Sequence, residues 1–238
     1  MPKDSPLYLV EEAPIVSEHD RIIALNSDLK DHLALVNASL DCLSRLPVAH
    51  IEEGEDELMT LRLTVRCFNS GAAALRLVRS GYFQPALTMV RDLIEVYFLL
   101  DLFSRDPGTL SEWRTMDDKE RNKNFKPVRV RERLDALDGH KEKRREQAYK
   151  MLSQHAAHVS PAGFSLISPE AMTQVGPFPD EGRLRAVMEE LASHLGYATV
   201  IVCNLIISED ATVLKIKQVF LRVLEAWQRR YLPSGGKP

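Results

Sequence analysis

Arg91 and Glu95 stand four residues apart in the most apolar stretch of the chain, so a helix there places a cation and a carboxylate on one face. Unpaired buried charge is expensive, which leaves two readings: a structural ion pair that fixes helix register, or a polar pocket that recognises a ligand. A second cluster lies further on, where His155 and His158 fall three apart with Tyr149 and Ser153 on the preceding turns. Such a pair could supply two metal ligands, a general base with its partner, or a protonated cap at the negative end of a helix dipole. Two histidines do not make a metal site and no third ligand can be named, so neither a metal nor a cofactor is expected. The candidate ligand pocket is therefore Arg91, Glu95, Tyr149, Ser153, His155 and His158, with His158 and Arg91 the catalytic candidates if a reaction occurs at all.

A basic segment between residues 119 and 146 holds 11 Lys and Arg against 6 Asp and Glu. Clustered cations steer polyanions even when total charge is near zero, and Lys123, Lys126, Arg129, Arg131, Arg144 and Arg145 form the candidate patch for nucleic acid or an acidic partner. The interleaved acids favour the other reading, a solvated face laced with intrahelical pairs. The signatures of better-known chemistry do not occur: there is no GxGxxG or GxxxxGK[ST] phosphate loop, no GxSxG elbow, no HExxH and no Glu-x-x-His pair.

The elements that must position these residues follow from periodicity. Ile22, Leu25, Leu29, Leu33, Val36, Leu40, Leu43 and Leu46 recur at three- and four-residue steps, predicting a long amphipathic helix that begins after Ser17 and ends at Pro47. It suits a bundle core and a dimer interface equally well. After the acidic run 52–57 a second helix is expected over about 58–78, stopped by Ser80-Gly81. A third, 83–105, has almost no polar face and should be the central element, walled in by protein. One or two short helices over 109–125, then helices near 128–138, 140–158, 181–207 and 210–231, complete the pattern. Between 159 and 180 lie Pro161, Pro169, Pro177, Pro179, Gly163 and Gly176, so a long loop with two short extended pieces, around 164–167 and 173–175, is expected there.

At 238 residues, with 45% hydrophobic and 27% charged residues, the composition is that of a globular domain able to bury a sizeable core. Cys42, Cys67 and Cys203 are far apart and in no CxxC pair, which argues for reduced, buried thiols over a disulfide framework or zinc site. The longest apolar run, Leu195 to Ile207, is too short for a bilayer, and the first residues lack the regions of a signal peptide, so no membrane association and a cytoplasmic location are expected. The net charge of -3 hides an asymmetry: residues 1–60 carry 4 basic and 13 acidic side chains, the reverse of the central segment. These two regions could meet, within one chain or between two copies.

The helix Arg91-Asp92-Leu93-Ile94-Glu95, with Tyr149-x-x-Leu152-Ser153 and His158-x-Ser160-Pro161, resembles a group of uncharacterised all-helical bacterial proteins, themselves similar to HEPN-type and abortive-infection proteins. The likeness spans roughly residues 60–210 and rests on short motifs. HEPN nucleases place Arg and His on one helix as Arg-x(4–6)-His. Here Arg145 and His155 are separated by nine residues, and Arg45 and His50 enclose Pro47. The resemblance implies a helical bundle with a polar Arg/Glu/Tyr/His cluster, and, as an alternative function, a ribonuclease of stress or phage defence using His158 as acid or base and an arginine against phosphorane charge.

The fold expected is all-α: a single bundle of about seven or eight helices around the 83–105 helix, spanning 18–232, with a flexible arm at 1–17, a long Pro/Gly-rich loop at 159–180 and a flexible tail at 233–238. The function expected first is a non-enzymatic binding or regulatory module, as a homodimer, with nucleic-acid binding through 119–145 as a further alternative.

Overall fold

The computed structural model describes residues 11–139, 144–152 and 160–232, and every regular element among them is helical. Ten α-helices follow one another: α1 (Ala13–Leu25), α2 (Ser27–Ala49), α3 (Glu55–Arg79), α4 (Phe83–Arg105), α5 (Gly108–Thr115), α6 (Asp118–Asn124), α7 (Pro127–Leu137), α8 (Arg144–Leu152), α9 (Glu181–Leu205) and α10 (Ala211–Tyr231). None of the described helices is long and apolar enough to cross a membrane.

The count exceeds the seven or eight expected chiefly because the first predicted helix is two. At Asn26 the backbone turns extended, and the Asn26 Nδ2 donates to the Ile22 carbonyl at 2.8 Å, satisfying an acceptor that the end of α1 leaves open. The turn shifts the register, so Leu25 of the predicted stripe is exposed while Leu29, Val36, Leu43 and Leu46 are fully buried. The helix also starts earlier than expected, at Ala13, which places residues 13–17 of the expected arm in α1; residues 1–10 of that arm and the tail 233–238 lie outside the described residues. Pro47 does not stop α2, which runs on to Ala49. A proline in a last turn removes one backbone hydrogen bond, and the turn survives with the His50 amide donating to the Leu46 carbonyl at 3.0 Å.

The Pro/Gly-rich segment is likewise more regular than a loop. Pro161–Ile167 is a 3₁₀ helix, so the stretch 164–167 is helical where an extended piece was expected, and Pro169–Ala171 is a short 3₁₀ turn kinked at Glu170, whose φ is +51°. Each opens on a proline, whose fixed φ and missing N–H suit a first helical turn, and the Ser160 hydroxyl accepts from the Gly163 amide at 3.3 Å.

Helix α4 is the centre that its composition predicts: α3 and α9 pack along it, α7 and α8 cover a further side, and no residue from 83 to 103 is exposed. Each fully buried Leu or Phe in it contributes roughly 1.5–3 kcal/mol. Helix α2 packs against α3, α9 and α10, so its apolar stripe serves the core of the bundle.

Charge closes the outside. Three acids of the first two helices pair with α3, α9 and α10: Asp20 with Arg79 at 2.6 Å, Asp28 with Arg185, and Asp31 with Arg230 at 2.5 Å. The basic segment pairs with its own neighbours instead, Arg133 with Asp106 at 2.9 Å and Arg145 with Asp135 at 2.7 Å. Among the described residues the acidic end and the basic centre therefore do not neutralise one another.

Two places in this packing are sensitive to a single substitution. Gly81 has φ +83°, and a Cβ there would lie 2.4 Å from the Phe178 carbonyl oxygen and 2.9 Å from the Phe178 nitrogen. Backbone cannot yield as a side chain can, so Gly81→Ala is expected to cost at least about 2 kcal/mol and lower the melting temperature by several degrees in calorimetry. His32 is buried on α2, accepts at Nδ1 from Trp227 Nε1 at 2.9 Å, and packs against the Tyr231 ring at 4.8 Å. Burial lowers its pKa, with Arg230 working in the same direction and Glu189 and Asp31 opposing. The unfolded chain then binds a proton that the folded one refuses: stability is full above the ordinary histidine value near 6.5 and declines as pH falls toward the lower folded value. Urea unfolding between pH 7.5 and 5.5 should lose less stability in His32→Gln than in the wild type.

Candidate functional site

The polar residues of α4 meet α7 and α8 at one node. Arg91 and Glu95 pair along the helix, Nη2 to Oε1 at 2.8 Å, each about a quarter exposed. Tyr149 reaches in from α8: its hydroxyl donates to Glu95 Oε1 at 2.6 Å and accepts from Arg91 Nη2. The phenol is pushed above its ordinary value by burial and by the hydrogen bond to Glu95, so it remains protonated and serves as a bridge between the two charges.

A fourth residue completes the arrangement. Arg131, on α7, is buried at 8% exposure and lays its guanidinium over the Tyr149 ring, 4.0 Å from the centroid, while that of Arg91 lies 4.9 Å away. Cation–π stacking accounts for one face of this guanidinium. It has no ion-pair partner among the described residues, and its Nη1 is buried without a hydrogen bond. Two cations thus share the Tyr149 ring and one carboxylate its hydroxyl, which among the described residues leaves a positive charge unmatched where that is costly.

A cavity of about 410 Å³ is walled by Leu87 of α4, Leu152 of α8, Leu166 of the first 3₁₀ helix and Val187 of α9, with Arg183, Glu189 and Glu190 as its charged members. Leu87 precedes Arg91 by one helical turn and Leu152 follows Tyr149 by three residues, so the same two helices supply the polar node and the apolar wall. The volume and mainly apolar lining are those of a small-molecule site. On the rim, Glu190 pairs with His194 Nε2 at 3.2 Å, and His194 Nδ1 lies 3.0 Å from the buried Tyr97 hydroxyl.

The structure brings together Arg91, Glu95 and Tyr149 of the six predicted pocket residues; Ser153, His155 and His158 lie outside the described residues. Among the described residues no three His, Cys, Asp or Glu side chains cluster as a metal ion requires. The basic patch is redistributed. Arg131 turns inward to Tyr149, and Arg145 is held by Asp135 and Asp138, so neither is a surface cation. Lys123, Lys126 and Arg129 are exposed and line a groove of about 620 Å³ with Phe125 and Met116, Arg129 being paired with Glu132 at 2.7 Å.

Sequence reasoning placed Arg131 in the patch because Arg129, Arg131 and Arg133 look alike in a charged run. The available signal was phase: Val130 and Leu134 mark the buried face of α7, and Arg131 is one and three residues from them. The Tyr97–His194–Glu190 chain joins residues 97 positions apart, beyond the reach of local pattern. Scans against family models, curated proteins and solved structures find no match to this chain.

The node's coupling is measurable. Tyr149→Phe keeps the stacked ring but removes the hydroxyl between Arg91 and Glu95. This and Glu95→Gln should each cost about 1–2 kcal/mol in urea unfolding, with the double variant falling short of additivity by about 1 kcal/mol. Strict additivity would mean that the bridge contributes nothing.

Proposed function

We propose that the protein is a non-enzymatic binding module whose ligand has an apolar body and an anionic head. The body would occupy the cavity between α4, α8, α9 and the first 3₁₀ helix, and the head would face the node at Tyr149. The observation that carries this reading is the guanidinium of Arg131, buried on the Tyr149 ring with no ion-pair partner among the described residues, while Leu152, three residues on from Tyr149, belongs to the wall of a ligand-sized, mainly apolar cavity. A buried arginine kept only for packing would be matched by an acid, as Arg145 is by Asp135 and Asp138. Arg91 adds a guanidinium of the kind that fixes the orientation of a carboxylate or phosphate. Glu95 holds Arg91 and Tyr149 in place and excludes a second acidic ligand from its own side.

The test uses octanoate, octanol and octylamine, which share one body and differ in the head. Calorimetric titration should give binding by octanoate at least about tenfold tighter than by octanol, and none by octylamine. Arg131→Met conserves the packing and removes the charge. Its ligand-free form should be as stable as the wild type or more so, while its preference for octanoate over octanol disappears. Equal affinity for all three probes, or a preference unchanged in Arg131→Met, would overturn the assignment.

A further inference from the structure

Away from this site, two of the three cysteines form a pair that no sequence spacing reveals. Cys42, near the end of α2, and Cys203, in the last turn of α9, place their Sγ atoms 3.7 Å apart, although 161 residues separate them in the chain. Both are free thiols. A disulfide needs about 2.05 Å between the sulfurs, a closure of under two ångströms between side chains on helices that already pack together. Cys203 keeps 9% exposure against 1% for Cys42, so a small oxidant meets it first.

The surroundings separate the two sulfurs chemically. Lys217 of α10 donates through Nζ to the Ile206 carbonyl at the end of α9, which anchors an ammonium near Cys203. The hydrogen bond between the two sulfurs and the Lys217 charge stabilise one thiolate in the pair, with the pKa of Cys203 lowered and that of Cys42 raised. The third cysteine provides an internal contrast. Cys67 is wholly buried in α3 with no second thiol beside it, and burial pushes its pKa up to about 12.

We infer that Cys42 and Cys203 are an oxidisable dithiol, a modification site at which a peroxide converts two thiols into one disulfide bridging α2 and α9. The Cys203 thiolate attacks a peroxide oxygen, the O–O bond breaks, and a sulfenic acid forms as hydroxide leaves. The Cys42 sulfur, giving up its proton, then attacks the Cys203 sulfur and displaces the sulfenic oxygen as water. In total two thiols and one hydrogen peroxide give one disulfide and two waters; both sulfurs are oxidised and the peroxide is reduced. The product ties the end of α9 to α2 and closes a long loop, which constrains the unfolded chain strongly.

The experiment treats the reduced full-length protein with a modest excess of hydrogen peroxide and reads intact mass, peptide map and melting temperature. The expected product is a monomer lighter by two hydrogens, with a Cys42–Cys203 cross-linked peptide, Cys67 still alkylatable, and a melting temperature raised by about 10 °C and restored by a dithiol reductant. Cys67→Ser should behave as the wild type does. In Cys42→Ser the bridge cannot form, and Cys203 should instead trap dimedone as a sulfenic acid. A cross-link between chains, a bridge to Cys67, oxidation of Cys67 at the same rate as Cys203, or no oxidation while the protein remains folded would each overturn the inference.

Discussion

A helix walled in by protein must find a partner for every charge it carries, and much of this molecule is arranged around that requirement on α4. Its carboxylates cannot be left to solvent. Asp92 is met by Arg66 at 2.5 Å and by the Ser70 hydroxyl at 2.6 Å, both from α3. Asp101, at 3% exposure, accepts from Arg105 at 2.8 Å, with Arg145 of α8 at 3.9 Å from its second oxygen. Glu95 takes Arg91 from its own helix and Tyr149 from α8. The neighbouring helices are therefore held to α4 by apolar burial and by position-specific polar contacts, and the latter fix their register.

The node at Tyr149 differs from the others in its balance of charge. Around Asp92 one guanidinium meets one carboxylate, and around Asp101, Asp135 and Asp138 the carboxylates outnumber Arg105 and Arg145, so no cation is left over; the low pKa of Asp138, set against its burial by the hydrogen bonds from Arg145 and Arg105, expresses that supply of partners. Around Tyr149 a second guanidinium rests on the aromatic face and has no ion-pair partner among the described residues. Burial makes this imbalance significant: an exposed arginine without an acid is ordinary, whereas Arg131 has lost most of its water. Helices α4 and α8 carry both this node and part of the cavity's apolar wall, Leu87 and Leu152, and the anionic amphiphile proposed here follows from that pairing.

Helix α9 links the two regions with chemistry of their own. Its first turns wall the cavity, through Arg183, Val187 and Glu190, and its last turn carries Cys203. Between them it lies along α2, α3 and α4. A covalent tie at one end of α9 would restrain the helix along its length, because a packed helix moves as a unit and cannot absorb strain residue by residue.

Much of the fold was legible in the sequence because it rests on local pattern. The 3.6-residue period predicted the helices, the near absence of polar residues marked α4 as central, and the proline and glycine positions gave most boundaries. The errors fell where one side chain changed the outcome: Asn26 broke a stripe that hydrophobicity carried through, and prolines at 161 and 169 opened short helices because their backbone suits a first turn. Within the site, Arg91 and Glu95 were legible as a pair because four residues is a helical turn. The inward turn of Arg131, the chain from Tyr97 to Glu190 and the approach of Cys42 to Cys203 were not, since each depends on how separate helices cross. The sequence alone determined the helices and the residue types on their faces, through steric and hydrogen-bonding preferences that act over a few residues. Only the tertiary structure decided which charge lost its water and which sulfurs met, because burial and distance depend on the packing of the whole chain.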